Sequence, residues 1–222
     1  MFRRLMGRLV NRLATDLGVL IYQQNLTIAQ KTLPEFGNEP NDLVIELPRR
    51  IVNAKCIFLG DHVWIGPGSF LNALTHYYTS PQHPERQREF EEFSPKIIIG
   101  HRVNCTGNLV IGAVKEVVVE DDVLLASNVA ILDHMHGYES PYEPYVYQKL
   151  WRIAPVLIKR GCWIGQNVVV LPGVTIGELS IIGANSVVTE NIPARCIAVG
   201  APARVTRKWD EASQRWTASS AK

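Results

Sequence analysis

The sequence predicts an all-β fold in which short parallel strands wind into a β-solenoid. Between residues 158 and 193 every sixth residue is aliphatic, and the residue four places later is small or aliphatic. A period of six fits neither a helix, with 3.6 residues per turn, nor a lone strand, with a period of two. It indicates stacked units that each contribute two inward side chains to one continuous core.

The second observation concerns the residue three places after each aliphatic residue. In this stretch it is Gly or Asn in five of six repeats, and Leu179 is the exception. Gly and Asn tolerate a positive φ, so the five positions are predicted to be tight corners. They are Gly161, Asn167, Gly173, Asn185 and Asn191.

The same frame returns upstream and extends the solenoid through most of the chain. The corner residue is Gly, Asn or Asp in nine of thirteen repeats, and the small-or-aliphatic position fails only at Lys115. A β-sandwich, the alternative, would alternate with a period of two. The repeats begin at Leu59, Ile65, Ile99, Cys105, Ile111, Val119, Leu125, Ile158, Ile164, Val170, Ile176, Ile182 and Val188.

Length and composition favour a single domain with short appendages. The 222 residues are 46% hydrophobic with a formal net charge of +2, which gives no reason to expect a nucleic-acid partner. No apolar run reaches the roughly 18 residues of a membrane span, and no secretory signal is evident, so a cytoplasmic location is expected. The four scattered cysteines are expected to be buried thiols in a reducing compartment.

The solenoid is predicted over residues 34–207, with two excursions, loops 71–98 and 132–157. Residues 1–33 form an amphipathic helix and a linker, and residues 208–222 form a polar tail that is either a short capping helix or loose chain. The helical pattern over residues 2–21 combines an apolar stripe with four arginines in its first half. It packs on the solenoid or a neighbouring subunit, or it contacts a membrane surface. Residues 31–56 are expected to be irregular.

The second excursion contains the candidate chemistry. It opens with Asp133, His134 and His136, and histidine has an unperturbed pKa close to neutral, as a general base for a hydroxyl requires. On an extended backbone the two histidines share a face, and Asp133 stands beside them. Aromatic side chains that could stack on a sugar follow. They are Tyr138, Tyr142, Tyr145 and Trp151.

In its repeats, its DHMHG segment and the WIG about 30 residues later, the chain resembles the hexapeptide-repeat acyltransferases, in their sugar and polysaccharide O-acetyltransferase branch. The resemblance covers roughly residues 47–207. It implies a left-handed parallel β-helix, acetyl-CoA as co-substrate, a carbohydrate acceptor and a homotrimer with active sites between subunits. It also implies His134 as the base and coenzyme contacts from Trp163, Gln166, Gly183, Ala184, Thr189, Arg204 and Arg207. Glu190 departs from the lysine common in relatives and puts one coenzyme contact in doubt.

The function expected from this resemblance is acetyl transfer from acetyl-CoA to a sugar hydroxyl during synthesis of capsule, O-antigen or exopolysaccharide. His134 would take the hydroxyl proton, and a backbone N–H near Gln166 would stabilise the oxyanion. Asp133 or His136 would orient His134 or contact the sugar.

Three alternatives stay open at this point. The first is N-acetyl transfer to an amino-sugar nucleotide. The second is a metalloenzyme like the γ-class carbonic anhydrases, which place two zinc histidines at HxxxxH spacing; no pair of histidines in this sequence has it, so no metal is expected. The third is a non-catalytic β-helix scaffold, which would need neither the DHMHG segment nor Trp163.

Overall fold

A computed structural model of the chain describes residues 2–79 and 89–219. The helix α1 (Phe2–Lys31) precedes the strands. The strands of the first half are β1 (Val44–Ile45), β2 (Arg49–Val52), β3 (Ile57–Leu59), β4 (Trp64–Ile65), β5 (Ser69–Ala73), β6 (His76–Thr79), β7 (Glu89–Glu92), β8 (Lys96–Ile99), β9 (Asn104–Cys105), β10 (Val110–Ala113) and β11 (Glu116–Val119).

The strands of the second half are β12 (Leu124–Leu125), β13 (Ala130–Leu132), β14 (Met135–His136), β15 (Leu150–Trp151), β16 (Val156–Ile158), β17 (Trp163–Ile164), β18 (Val169–Val170), β19 (Thr175–Ile176), β20 (Ile181–Ile182), β21 (Val187–Val188), β22 (Cys196–Gly200), β23 (Ala203–Asp210) and β24 (Arg215–Ala218). Short 3₁₀ turns lie at Ala54–Cys56 and Tyr145–Tyr147.

Three sheets of parallel strands form the solenoid. The first sheet has the order β1-β4-β9-β12-β17-β20-β22, the second β2-β5-β10-β13-β18-β21 and the third β3-β8-β11-β16-β19. The chain visits the third, first and second sheets in turn, so each circuit is one coil, and each strand pairs in parallel with those of adjacent coils. The predicted all-β solenoid is therefore confirmed.

The core follows the six-residue frame. All thirteen aliphatic-position residues are at most 2% exposed, and twelve of the thirteen residues four places later are buried too. The exception is Lys115, which is exposed, as its side chain requires. Full burial of one aliphatic side chain contributes about 1.5–3 kcal/mol, so the repeated pair accounts for a large share of the stability.

The left-handed backbone conformation recurs at the corner position more regularly than the Gly, Asn and Asp residues that favour it. Leu179 has a φ of +55°, although its side chain does not favour a left-handed backbone. The prediction of a left-handed corner at Asn191 is wrong, because Asn191 is not among the residues with a positive φ; its side chain instead accepts a hydrogen bond from the Thr175 N–H at 2.7 Å. The corner conformation therefore occurs at Leu179 although leucine does not favour it, and it is absent at Asn191 in the last repeat although asparagine tolerates it.

Asparagines at successive corners also bond to one another. The Asn128 side-chain amide donates to Asn167 at 3.0 Å, and Asn167 donates to Asn185 at 2.9 Å. These residues lie between strands of the first and second sheets, at what we term the first-to-second corner. The side chains therefore link adjacent coils in addition to permitting the turn.

Two segments are more regular than the sequence predicts. Residues 31–56, expected to be irregular, include β1 and β2, which pair in parallel with β4 and β5 and form the start of the solenoid. The tail is neither a helix nor loose: β23 and β24 add antiparallel strands to the first sheet, and Trp209 packs edge-on against Trp216 at 5.5 Å. In the first segment Ile45 and Ile51 are six residues apart and pair with Ile65 and Leu71, so the aliphatic spacing continues there. The residues four places later, Arg49 and Lys55, are neither small nor aliphatic, and this hid the repeat. The strands of the tail are antiparallel and lie outside the repeat.

The helix α1 is longer than the predicted 2–21, and among its residues from 12 onward, whose side chains the structure describes, the contact with the solenoid is near the C-terminal end. Ala29 is buried, and the Arg49 guanidinium donates to the Ala29 carbonyl at 2.9 Å and to Thr32 Oγ1 at 3.0 Å. Residues 12–25 are exposed throughout, so packing of this face on the solenoid of the same chain is excluded. Among the helices in the described ranges, none is long and apolar enough to cross a membrane.

The cysteines are free thiols. Cys105, Cys162 and Cys196 are buried, as predicted, whereas Cys56 is only half-buried. Burial raises the pKa of Cys105 and of Cys162 to about 11. These two thiols therefore remain protonated near neutral pH.

Candidate active site

Both excursions leave the solenoid at the same edge. The first runs from β5 to β8 and the second from β13 to β16, and in each case the chain passes from the second sheet to the third. The coil between them crosses this second-to-third corner directly, through Val114 and Lys115. The topology therefore gathers at one edge two segments that are far apart in the sequence. Residues 80–88 of the first excursion, predicted as part of loop 71–98, lie outside the described residues.

The one repeat that breaks the frame binds the Asp133 carboxylate. Val114, like Asn191, does not adopt the positive φ of the remaining corners, and its N–H donates to Asp133 Oδ1 and Oδ2 at 2.9 and 3.1 Å. The Lys115 N–H donates to Oδ2 at 2.7 Å. Asp133 is completely buried, and these donors satisfy a carboxylate that water cannot reach.

His134 completes this arrangement. Its Nδ1 lies 2.8 Å from Asp133 Oδ1, and its side chain is 15% exposed. A carboxylate can only accept, so Nδ1 carries the proton and the Nε2 lone pair remains available. The pair has the geometry of an oriented general base, with one ring nitrogen fixed and the other open to a reactant.

Gly112 provides the space for the imidazole. A Cβ at this position would lie 2.9 Å from Leu132 Cδ2 and 3.4 Å from His134 Cε1. Gly112 pairs with Leu132 between β10 and β13, so a side chain here would press on the end of the Leu132 side chain and come into contact with the imidazole. This contribution could not be predicted from the repeat, in which Gly112 occupies an unremarkable position.

His136 has different partners from His134. It pairs with Leu150 across the β14–β15 ribbon, and its Nδ1 lies 3.1 Å from the Tyr77 hydroxyl of β6. The Glu91 carboxylate of β7 accepts a hydrogen bond from the Leu150 N–H at 3.1 Å. No local motif marks Tyr77 or Glu91, so the sequence did not predict their contacts with the second excursion.

The predicted sugar-binding aromatics divide into two groups. Tyr138 and Trp151 pack edge-on with ring centroids 4.7 Å apart, and Met135 of β14 pairs with Trp151. Tyr142 is 96% exposed and Tyr145 57% exposed. The first pair therefore forms a defined aromatic surface on the β14–β15 ribbon that carries His136, although Tyr138 is itself 55% exposed.

Four predicted coenzyme contacts lie together on a different part of the solenoid. Trp163 is half exposed on the first sheet, and Gln166, Gly183 and Ala184 lie at the first-to-second corner of successive coils. The Asn185 N–H donates to the Gln166 carbonyl at 2.8 Å, which ties these two coils together.

The other predicted coenzyme contacts are on later elements. Thr189 follows β21 directly and thus lies at the second-to-third corner, like His134. Arg204 and Arg207 are exposed on β23, and the Arg204 guanidinium lies 3.3 Å from the Glu190 carboxylate. Glu190, which stands where relatives commonly have lysine, therefore forms an ion pair with Arg204, which is expected to bind a phosphate of the coenzyme.

A single chain therefore does not bring all the predicted residues together. His134 and Thr189 lie at the second-to-third corner, whereas Trp163, Gln166 and Gly183 lie along the first sheet or the first-to-second corner. Within the part of the chain that the structure describes, no group of three His, Cys, Asp or Glu side chains could hold a metal ion.

Comparison with known proteins identifies the family. The family model "Bacterial transferase hexapeptide (six repeats)" matches residues 155–190. The chain is 35% identical over 183 residues to the putative lipopolysaccharide biosynthesis O-acetyl transferase WbbJ of Escherichia coli (strain K12), covering 79% of this chain and 84% of that protein. The chain belongs to the hexapeptide-repeat acetyltransferase family.

Two further comparisons agree with this assignment. The galactoside O-acetyltransferase of Escherichia coli (strain K12) is 29% identical over 178 residues, covering 80% of this chain and 76% of that protein. The structure of AntD, an N-acyltransferase from Bacillus cereus, in complex with dTDP and 3-hydroxybutyryl-CoA superposes with a TM-score of 0.60 at 21% identity, covering 77% of this chain and 81% of AntD. This likeness shows the fold alone, and the predicted left-handed parallel β-helix is confirmed.

Proposed function

We propose that this acetyltransferase moves an acetyl group from acetyl-CoA to a sugar hydroxyl during the synthesis of a surface polysaccharide. The observation that carries the proposal is the His134–Asp133 pair, in which a fully buried carboxylate fixes the imidazole at Nδ1. The names of the relatives point the same way, since one belongs to lipopolysaccharide biosynthesis and the other acts on a galactoside.

His134 is the general base in this mechanism. Its Nε2 takes the proton of the acceptor hydroxyl as the oxygen attacks the thioester carbonyl, and Asp133 stabilises the imidazolium that forms. A backbone N–H near Gln166 stabilises the oxyanion. The carbon–sulfur bond then breaks, and the departing thiolate of coenzyme A receives the proton from His134.

A homotrimer joins the two sets of residues that one chain keeps apart. The edge of one subunit that carries His134 meets the first-sheet face of its neighbour, which supplies Trp163, Gln166, Gly183 and Ala184 to the coenzyme. Cyclic symmetry closes such a contact and repeats it three times. Arg204 and Arg207 bind the coenzyme phosphates, a role that suits the donor fork of a guanidinium.

Replacing the base is the decisive test. His134→Ala should lower kcat by about 10²- to 10⁴-fold, the usual contribution of general-base catalysis, while acetyl-CoA still binds with an unchanged Kd. The measurement is thiol release with a panel of hydroxyl and amino sugars, together with calorimetric titration of acetyl-CoA. His62→Ala, an exposed histidine bonded to Asp42, is the matched control. Near-normal turnover of His134→Ala would move the base elsewhere, and transfer only to amino sugars would establish N-acetylation instead.

The helix α1 is proposed to contact the anionic inner surface of the cytoplasmic membrane. It has four arginines and one lysine against a single aspartate, and large apolar side chains along residues 13–28 are about half exposed. Apolar insertion and attraction to anionic lipid act together in such a helix.

Co-sedimentation with anionic and zwitterionic vesicles tests this membrane contact. The protein should pellet with anionic vesicles only, and the double substitution Leu13→Asp with Leu20→Asp should keep it in the supernatant. A wild-type protein that remains in the supernatant with both vesicles would contradict the membrane contact and leave α1 to a neighbouring subunit.

A further inference from the structure

The two histidines of the DHMHG segment differ in what holds them. Nδ1 of His134 contacts a carboxylate, which can only accept a hydrogen bond, whereas Nδ1 of His136 contacts the Tyr77 hydroxyl, which can donate one. The partner on Nδ1 decides which nitrogen of a neutral imidazole carries the proton. The two rings therefore need not have the same tautomer.

Tyr77 is held against His136 by a four-residue contact between the excursions. Tyr77 and Glu91 are cross-strand neighbours in the β6–β7 hairpin, and His136 and Leu150 are cross-strand neighbours in the β14–β15 ribbon. One hydrogen bond joins Tyr77 to His136 and another joins Leu150 to Glu91, each 3.1 Å long. The Tyr77 and His136 rings are tilted with centroids 5.7 Å apart, so Tyr77 contacts His136 through its ring as well as through its hydroxyl.

The hydroxyl of Tyr77 keeps its proton in this position. Burial and the negative charge of Glu91 both raise the pKa of Tyr77. A protonated phenol can donate to Nδ1 of a neutral histidine, and Nε2 of that histidine then carries the remaining proton. His136 itself is exposed, so its outer face can reach a bound molecule.

We propose that Tyr77 fixes His136 as the Nε2–H tautomer, which makes His136 a hydrogen-bond donor to an oxygen of the acceptor sugar rather than a second base. His134 removes the proton from the reacting hydroxyl, and His136 binds another oxygen of the same acceptor. Tyr77 is a positioning residue that acts through His136. The inference rests on the proposed sugar acceptor and adds a specificity-determining contact to that site.

The substitution pair His136→Gln and His136→Ala separates a donor from a base. A glutamine side-chain amide can donate from about the place of Nε2 but cannot take up a proton, whereas alanine does neither. His136→Ala and Tyr77→Phe should raise the KM for the acceptor about 3- to 10-fold, as expected for one lost hydrogen bond, with little change in kcat or in the KM for acetyl-CoA. His136→Gln should recover most of this loss.

The corresponding pair at His134 is the control. His134→Gln should be as inactive as His134→Ala, because a base cannot be replaced by an amide. If His136→Gln instead loses kcat as severely as His136→Ala, His136 acts as a base and the proposal is wrong. The acceptor used is whichever member of the hydroxyl-sugar panel gives the highest rate with the wild-type protein.

A second measurement needs no acceptor and so separates this inference from the proposed function. In protein labelled with ¹⁵N-histidine, ring-nitrogen NMR at a pH high enough for the imidazoles to be neutral should show Nε2–H for His136 and Nδ1–H for His134. Tyr77→Phe should convert His136 to a mixture of tautomers and leave His134 unchanged. A neutral His136 that carries its proton on Nδ1 in the wild-type protein would overturn the inference, even if acetyl transfer to sugars is confirmed.

Discussion

The regular coils of the solenoid and the coil that crosses the second-to-third corner at Val114 and Lys115 use the same backbone in opposite ways. In the regular coils from Ile158 to Val188, corner residues take a left-handed φ and strand N–H groups bond to the adjacent coil. At the broken corner two consecutive N–H groups turn to the Asp133 carboxylate instead. The repeat therefore provides a rigid framework whose backbone hydrogen bonds are satisfied, and its interruption provides N–H donors for the Asp133 carboxylate.

The largest expected effect comes from disrupting the broken corner. In Asp133→Asn the side-chain amide group faces the Val114 and Lys115 N–H groups, which need an acceptor. A buried N–H is therefore left without a hydrogen bond. We expect kcat to fall by about 10²- to 10⁴-fold because His134 loses its tautomer. The free energy of unfolding should fall by about 2–4 kcal/mol.

Steady-state kinetics and urea unfolding measure the two losses. Asp122→Asn is the control, since Asp122 forms an exposed ion pair with Arg102 and its loss should cost at most about 1 kcal/mol with no change in kcat. An Asp133→Asn variant as stable and as active as this control would show that the frame break has no role in the site.

A smaller effect is expected from filling the space beside His134. Gly112→Ala should displace Leu132 or the imidazole, lowering kcat roughly tenfold and the free energy of unfolding by about 1–3 kcal/mol, as overpacking usually does. Gly18→Ala is the same substitution with nothing within 4 Å of the new Cβ, and should stabilise α1 by up to about 1 kcal/mol. Equal kinetics for both variants would contradict the role assigned to Gly112.

The smallest effects come from the regular corners. Leu179→Asn should raise the free energy of unfolding by about 0.5–1 kcal/mol, because asparagine tolerates the left-handed φ better than leucine does. Asn185→Leu should lower it by about 1–2 kcal/mol, since it adds that strain and removes the bond from Asn167. Thermal and urea unfolding of the two variants measure these shifts, and both should leave kcat unchanged. A change of the same sign in both would mean that corner conformation does not limit stability.

Much of the framework was predictable because it depends on short-range pattern. A buried residue every sixth position requires an aliphatic side chain, so the coil frame is evident from Leu59 to Val188 without any structure. The exposed Lys115 was predicted to break this frame, and it does. The corners were less predictable, since Leu179 shows that the geometry can override the preference of the residue.

The candidate site was predictable only in part. The DHMHG segment was visible because its residues are adjacent, but the partners of Asp133 are backbone groups 18 and 19 residues away, and backbone groups have no signature in a sequence. The hairpin β6–β7 was expected only as a loop, because its strands pair with each other and do not share the solenoid's period.

The solenoid, its core residues and the presence of an Asp-His pair at an excursion depend on side-chain size or on neighbours along the chain, so the sequence was enough to predict them. The groups that surround that pair come from distant parts of the chain, and they are known only from the folded structure. Tyr77 lies 59 residues from His136, and the two meet because both excursions leave the solenoid at the same corner, two coils apart. The number of residues between corners determines that both excursions begin at the same corner, and this is evident only once the coils are stacked.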